Sequence, residues 1–374
     1  MGQILAKGLH GRAITRDLDW GISVPVDGWD GKCLYVWFEA VIGYLSAAIE
    51  WASINHQDDI WEEWWFNPAM RSYYFIGKDN IPFHAVIWPA QLIGSGEKFG
   101  EIFQDIHGKR LNLPYDVPAN EFMNLEGQKI SGSRNWAVWG LDFLSRYDPD
   151  PLRYYLTANM PESKDTDWDW DDFVRRNNDE LVATWGNLAN RVLSFCYKHW
   201  DGKVPEPGEL SNDDHEILEV VENGFTTVAE HFEAVHLRSA LNEVMRLASE
   251  VNRYLDKAAP WLEIKTDKAA AATSIYTALR AIDSLKILFA PFLPFTCEHL
   301  HGYLGYQTPI FGDQFTETLT DQLGEHTVLR YRSNNVHNQW QPSQLKAGQN
   351  LIEPERLFNK LELSVAEDER SRLG

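Results

Sequence analysis

The sequence predicts an α/β region followed by an all-helical one. Three observations carry this. Short β-prone runs alternate with helical patterns from about residue 33 to 131. Long amphipathic helices fill about 171–304. Near 160 the acidic stretch MPESKDTDWDWDD separates the two. A βαβ rhythm of this kind implies parallel pairing with covering helices.

The elements follow in order. CLYVWF (33–38) is read as a strand and EAVIGYLSAAIEWASI (39–54) as a helix. YYFIG (73–77) is a second strand, and NIPFHAVIWPAQLIG (80–94) a second helix. HGKRLNL (107–113) is predicted as a strand, and EFMNLEGQKIS (121–131) as a strand with a turn at Gly127. In the helical half, Leu181, Trp185, Leu188, Val192 and Phe195 make one apolar stripe at spacings of three and four. VPEPGELSND (204–213) breaks the pattern. Helices are expected near 213–232, 236–257 and 268–290, with a short one after the prolines of APFLPFTCEHLHGYL. The segment after 305 is polar and irregular, with LIEPERLFNKLEL (351–363) as an apolar patch docked back onto the body.

The chain has 374 residues, 44% hydrophobic and 24% charged, which excludes a disordered or collagen-like polymer. No run of 18 apolar residues suggests a membrane span. The three cysteines lie far apart, which argues for a reducing compartment, the cytoplasm, and against a zinc site. A net charge of −21 argues against non-specific attraction to nucleic acid, so any RNA contact must be local. With 16 Trp, 18 Phe and 14 Tyr, some rings should do more than fill a core.

Three segments carry chemistry. In LYVWFEAVIGY, Trp37, Ala40 and Tyr44 fall on one face where a strand enters a helix. In the second helix, Phe83 and His84 precede Trp88, and His84 with Trp88 is an i, i+4 pair. Both segments start at carboxyl ends of strands, where open α/β sheets bind ligands. Taken alone, such rings are more often core. GKD (77–79) offers a glycine for close backbone approach and Asp79 for a ribose hydroxyl. GQKISGSRNW (127–136) is a donor-rich loop whose Lys129 and Arg134 suit phosphate, although a solvated loop reads the same way.

In this order, the segments resemble methionyl-tRNA synthetases, a class I aminoacyl-tRNA synthetase family. YVWFEAVIGY, YYFIGKDNIPFHAVIWPAQL, KISGS in place of KMSKS, DPDPLRYYL (148–156), NLANR (187–191) and AAPW (258–261) carry the resemblance. It implies a partial Rossmann-like class I catalytic domain over 1–159, a helical-bundle anticodon-binding domain over 160–304 and an irregular tail over 305–374. It implies that Trp37, Ala40, Tyr44, Phe83, His84 and Trp88 bind methionine, with a Tyr44 hydroxyl or His84 N–H testing for sulfur. Gly77, Asp79 and Lys129 would bind ATP. Lys129, Ser131, Ser133 and Arg134 would close over its phosphates. Asn187, Arg191 and Trp261 would read the anticodon.

The implied activity is activation of L-methionine with ATP and Mg2+, then transfer to tRNA(Met), by a monomer without a zinc site. Three departures stand against it. No HxGH motif occurs, no metal-binding knuckle occurs, and Gly132 replaces the second lysine of the loop. They predict a partial chain, from a truncated gene or a mis-assigned start. The competing expectation is a non-catalytic fragment that retains tRNA anticodon binding.

Overall fold

The computed structural model describes residues 8, 11, 13–102, 110–321, 324–336 and 339–374. It divides into two compact units, Met1–Phe122 with Pro161–Asp165, and Met123–Met160 with Thr166–Gly374.

In the first unit, β1 (Thr15–Asp17) pairs antiparallel with β2 (Lys32–Leu34). The strand expected over 33–38 stops at Leu34. Tyr35 accepts the Phe38 N–H at 2.8 Å, which turns the chain into a short Val36–Glu39 helix and then the Gly43–Ile54 helix. Aromatic residues fit strands by propensity, but this local hydrogen bond decides otherwise. Next, β3 (Ile76–Gly77) pairs in parallel with β4 (Ala119–Asn120). Of the strand expected at 107–113, residues 107–109 lie outside the described residues, and 110–113 have no regular structure. There the Asn112 backbone N–H and side-chain amide donate to the carbonyls of Trp65, Trp64 and Asn67, tying the segment to the Ile60–Phe66 helix. The core gathers Val41, Leu45, Trp61, Tyr74, Phe83, Trp88 and Leu92.

In the second unit, β5 (Met123–Leu125) pairs in parallel with β6 (Thr166–Trp168). The expected parallel pairing thus occurs as two separate pairs, not as one sheet, among the described residues. Trp168, Trp170, Phe173, Phe143 and Tyr155 interlock beside it, with Tyr155 and Trp168 ring centres 4.7 Å apart, edge to face. The following helix begins at Trp170, passes through a π-type stretch at Asn177–Gly186 and continues as Asn187–His199. Leu181, Trp185, Leu188 and Val192 of the expected stripe are fully buried.

Ser211 opens the Asn212–Glu233 helix with a capping box closed by Asp214. The Leu237–Ala258, Lys268–Phe289 and Pro294–Tyr303 helices complete the bundle. Most of the Lys268–Phe289 helix is buried, and it carries a charge pair inside. Lys286 Nζ donates to Asp283 Oδ1 at 2.6 Å and to His301 Nδ1 at 2.7 Å. His301 Nε2–H donates to the Thr308 carbonyl at 2.8 Å, so Nδ1 is an acceptor. The Tyr306 and Ser343 hydroxyls donate to Asp283 Oδ2.

Burial pulls both charges toward neutrality. On Asp283 the ammonium and the two hydroxyls outweigh it and hold the carboxyl below its ordinary 3.8, whereas burial lowers the Lys286 pKa. The Asp283 carboxylate, 2.6 Å from Nζ, opposes the effect of burial on Lys286 and favours its ammonium.

Residues 305–374, expected to be irregular, contain a β-ribbon of β7 (Asp313–Asp321) and β8 (Gly324–Arg332), and a Ser364–Arg370 helix. The apolar patch at 351–363 docks as expected. Phe358 is buried against Gly186, and the Asn178 side chain exchanges hydrogen bonds with the backbone of Leu361.

Asp283→Asn should destabilise the fold by about 3–5 kcal/mol, because it leaves a buried ammonium unpaired. Denaturant unfolding measures this, and adding Lys286→Met should recover part of the loss. The contribution of Asp283 should be complete above its unfolded value and vanish as pH falls through its lower folded value.

Candidate functional site

At the end of β3 the chain makes one 3₁₀ turn, Lys78–Asn80, and then enters a π-type turn, Phe83–Ile87, that leads into the Trp88–Ile102 helix. A π-turn widens the helix by one residue and often marks a functional position. Here it buries Phe83 and His84, and Trp88 is buried one turn on.

His84 Nδ1 lies 3.0 Å from the Asn80 carbonyl and must donate to it. With the ring neutral, Nε2 then accepts from the Tyr44 hydroxyl at 2.8 Å. The Tyr44 ring meets Tyr74 edge-on at 4.9 Å and lies 6.4 Å from Trp88. Trp88 Nε1 donates to the Tyr74 hydroxyl at 3.3 Å. Burial, with Tyr74 alongside, raises the Tyr44 pKa. Trp37 sits 5.6 Å from the Phe83 ring, and both Trp37 and Tyr44 remain more than two-fifths exposed. Ala40 is also exposed.

The structure therefore brings Tyr44, His84 and Trp88 together around Tyr74, and places Trp37 against Phe83. Sequence reasoning missed Tyr74. Its signal was present in YYFIG, where Tyr74 and Ile76 share a strand face. The Tyr44 hydroxyl and both His84 ring nitrogens are engaged in hydrogen bonds within the protein.

Gly77 has φ −82 and an added Cβ would meet nothing among the described residues, so neither backbone conformation nor their packing requires glycine there. Asp79 beside it is exposed.

In the second unit, the 127–136 loop is anchored at both ends. The Gly127 N–H donates to both Asp167 carboxylate oxygens at 2.9 Å, and the Trp136 indole N–H to the Leu125 carbonyl at 2.9 Å. Between the anchors, Lys129, Ser133 and Arg134 are exposed and Ser131 half-buried. Ser131 and Ser133 hydroxyls lie 3.3 Å apart, and Arg134 donates to the Lys129 carbonyl. At Gly132 an added Cβ would touch only the Trp139 ring among the described residues, at 3.4 Å, an ordinary contact.

In the bundle, Ala259 adopts φ 42, a left-handed conformation that ends one helix and starts Pro260–Glu263. This turn carries Trp261 to Arg191, whose guanidinium carbon lies 4.3 Å from the indole centre. Arg191 also reaches Asn252 at 3.5 Å and Asp256 at 3.7 Å. Its Nε is buried with no hydrogen-bond partner among the described residues. Asn187 is exposed. Among the described residues no three His, Cys, Asp or Glu side chains cluster as metal ligands, and no helix is long and apolar enough to cross a membrane.

Comparison with known proteins explains why these features occur in one chain. Residues 1–193 match the family model of class I tRNA synthetases of the M type, and 204–329 match the anticodon-binding domain of methionyl tRNA ligase. The chain belongs to the methionyl-tRNA synthetase family. The methionine--tRNA ligase of Thermomicrobium roseum is 54% identical over 371 residues, 99% of this chain and 61% of that protein. That of Chloroflexus aggregans is 51% identical over 98% of this chain and 62% of its own length. The crystal structure of Mycobacterium tuberculosis methionyl-tRNA synthetase bound by methionyl-adenylate aligns with a TM-score of 0.74 at 25% identity, covering 96% of this chain and 62% of that one. The chain thus spans about three fifths of the length of the relatives it matches.

Gly77→Ala should leave the thermal unfolding free energy unchanged within about 0.5 kcal/mol. Gly305→Ala, where a Cβ would fall 1.8 Å from the Asn350 carbonyl oxygen at φ +86, should lower it severely in the same assay.

Proposed function

We propose that the chain is the part of a methionine--tRNA ligase that completes the methionine pocket, closes over ATP and reads the anticodon of tRNA(Met). In this reading residues 1–159 belong to the catalytic domain, 160–304 bind the anticodon and 305–374 dock as a tail. Localisation is taken as cytoplasmic and the state as monomeric. The observation that supports this most directly is the closed ring of Tyr44, Tyr74, His84 and Trp88 beside an open, conformationally unnecessary Gly77. A thioether gains from ring-edge contact, and a nucleotide gains from backbone without a Cβ.

The residues divide the work as follows. Trp37, Ala40, Tyr44, Phe83, His84 and Trp88 surround the methionine side chain. Gly77 and Asp79 take the adenosine. Methionine's carboxylate attacks the α-phosphorus of ATP in line, forms the acyl-phosphate bond and expels pyrophosphate. Lys129, Ser131, Ser133 and Arg134 stabilise the charge that develops on the phosphates. Mg2+ is taken as part of the nucleotide substrate. The tRNA terminal hydroxyl then displaces AMP.

Arg191 and Trp261 suit an unstacked anticodon base, because an indole face offers stacking and the buried Arg191 Nε has no acceptor among the described residues. The exposed Asn187 flanks them. The −21 charge favours this local mode over bulk attraction. The second reading is a fragment that binds the anticodon without adenylation, and the absence of HxGH in these 374 residues favours it for the isolated polypeptide.

Methionine-dependent ATP–pyrophosphate exchange separates the two. In an enzyme that contains this chain within the full length of its relatives, Lys129→Ala should cut kcat by about 100-fold with methionine KM within about twofold. Gly132→Lys should leave exchange equal or higher. A silent Lys129→Ala would remove the loop assignment.

For RNA, the chain should bind a CAU anticodon stem-loop more tightly than one with altered bases. Trp261→Ala should weaken that binding about tenfold, since stacking contributes roughly 1–3 kcal/mol per base. Arg191→Ala should erode the discrimination. Titration at near-physiological salt reads both, and equal affinity for matched and mismatched loops would sink the anticodon assignment.

A further inference from the structure

Lys78 stands between the two proposed adenosine residues, yet its side chain turns to another task. The first unit leaves at Phe122, returns at Pro161 and leaves again at Asp165. These two departures run side by side. The Glu121 N–H donates to the Pro161 carbonyl at 2.8 Å, and the Phe122 N–H to Asp165 Oδ1 at 3.0 Å. Beyond them Met123 and Thr166 open the parallel β5–β6 pair that leads to the 127–136 loop.

Lys78 Nζ bridges the departures. It donates to the Glu121 carboxylate and to Asp165 Oδ1 at 3.0 Å, and rests 4.3 Å from the Phe122 ring centre. Without it two carboxylates would face each other across the crossing. The same 3₁₀ turn carries Asp79 and Asn80, and the Asn80 carbonyl fixes His84 and through it Tyr44.

We propose that Lys78 is a positioning residue that clamps both outgoing chain segments to the nucleotide-side turn and so holds the turn that carries Asp79 and the Asn80 carbonyl. Lys78 therefore ties the turn that carries Asn80 to residues 121–122 and 165 through one ammonium. The side chains are about a third to a half exposed, so the ion pairs add little to global stability and act on geometry. The kinetic part of this proposal rests on the adenylation reading above; the clamp itself does not.

The test compares Lys78→Met, Lys78→Arg and the triple variant Lys78→Met/Glu121→Gln/Asp165→Asn. On the chain itself, amide hydrogen exchange at Phe122 should rise about tenfold in Lys78→Met and stay near the parent in the other two. In the full-length enzyme, Lys78→Met should lower kcat for pyrophosphate exchange about tenfold with methionine KM within about twofold, and the triple variant should recover most of the rate. A direct phosphate ligand would leave the triple variant as slow as Lys78→Met, which overturns the positioning role. Unchanged Phe122 exchange in Lys78→Met overturns the clamp. A full-length parent without exchange activity overturns the adenylation reading, while the amide measurement still decides the clamp.

Discussion

A carboxylate and an ammonium withdrawn from water inside one helix dictate how the second unit closes. Asp283 and Lys286 sit three residues apart in the Lys268–Phe289 helix, 2% and 1% exposed. Neither can stay charged there unless every remaining hydrogen-bonding position is filled. Those partners come from distant chain: His301 from the next helix, Tyr306 from the turn after it, and Ser343 from beyond the ribbon. The Tyr306 ring stacks parallel on His301 at 4.3 Å and lies 4.4 Å from the ammonium. The returning chain is thus recruited by unmet polar demand in the core rather than by apolar contact alone. Once it is held, Phe358 reaches the gap beside Gly186 and Asn178 receives Leu361.

The first unit solves a different problem, the orientation of polar rings in an apolar pocket. Two short hydrogen-bond runs direct these rings, Tyr44 through His84 to the Asn80 carbonyl and Trp88 to the Tyr74 hydroxyl, and the Tyr44 and Tyr74 rings meet edge-on between them. Such runs specify rotamers and tautomer together. A widened helical turn supplies the extra residue that lets Phe83 and His84 both point inward.

Helical segments were legible because their signals are local. Ser211 caps, Pro260 starts a turn, and the expected 213–232, 236–257 and 268–290 helices lie within about a turn of the observed ends. The ordered family segments were equally plain. DPDPLRYYL and APFLPFT prove to be partners, since Asp150 accepts from the backbone and hydroxyl of Thr296 and Arg153 donates to the carbonyls of Pro291 and Phe292. What the sequence hid is tertiary. Tyr74 reads as one more strand aromatic, and the stack of Arg191 on Trp261 depends on a left-handed alanine that no propensity favours. The short strands were misjudged because aromatic runs such as YVWF satisfy either state until a backbone hydrogen bond chooses. The ribbon went unseen because its alternating positions carry few large apolar side chains, with Thr316, Thr318 and Thr320 filling one face.

That ribbon has colloidal implications. β7 and β8 pair only with each other among the described residues, so each presents an outer row of backbone donors and acceptors. Leu329 and Tyr331 are exposed on one side. Such an edge invites a second copy to add a strand. Glu317 and Arg330 form a diagonal ion pair across the two strands, which interrupts the other side with charge. The surplus of 21 negative charges keeps whole molecules apart at low ionic strength. Dispersal of this protein in water is therefore a long-range electrostatic property, and added salt would shift the balance toward strand-to-strand encounter.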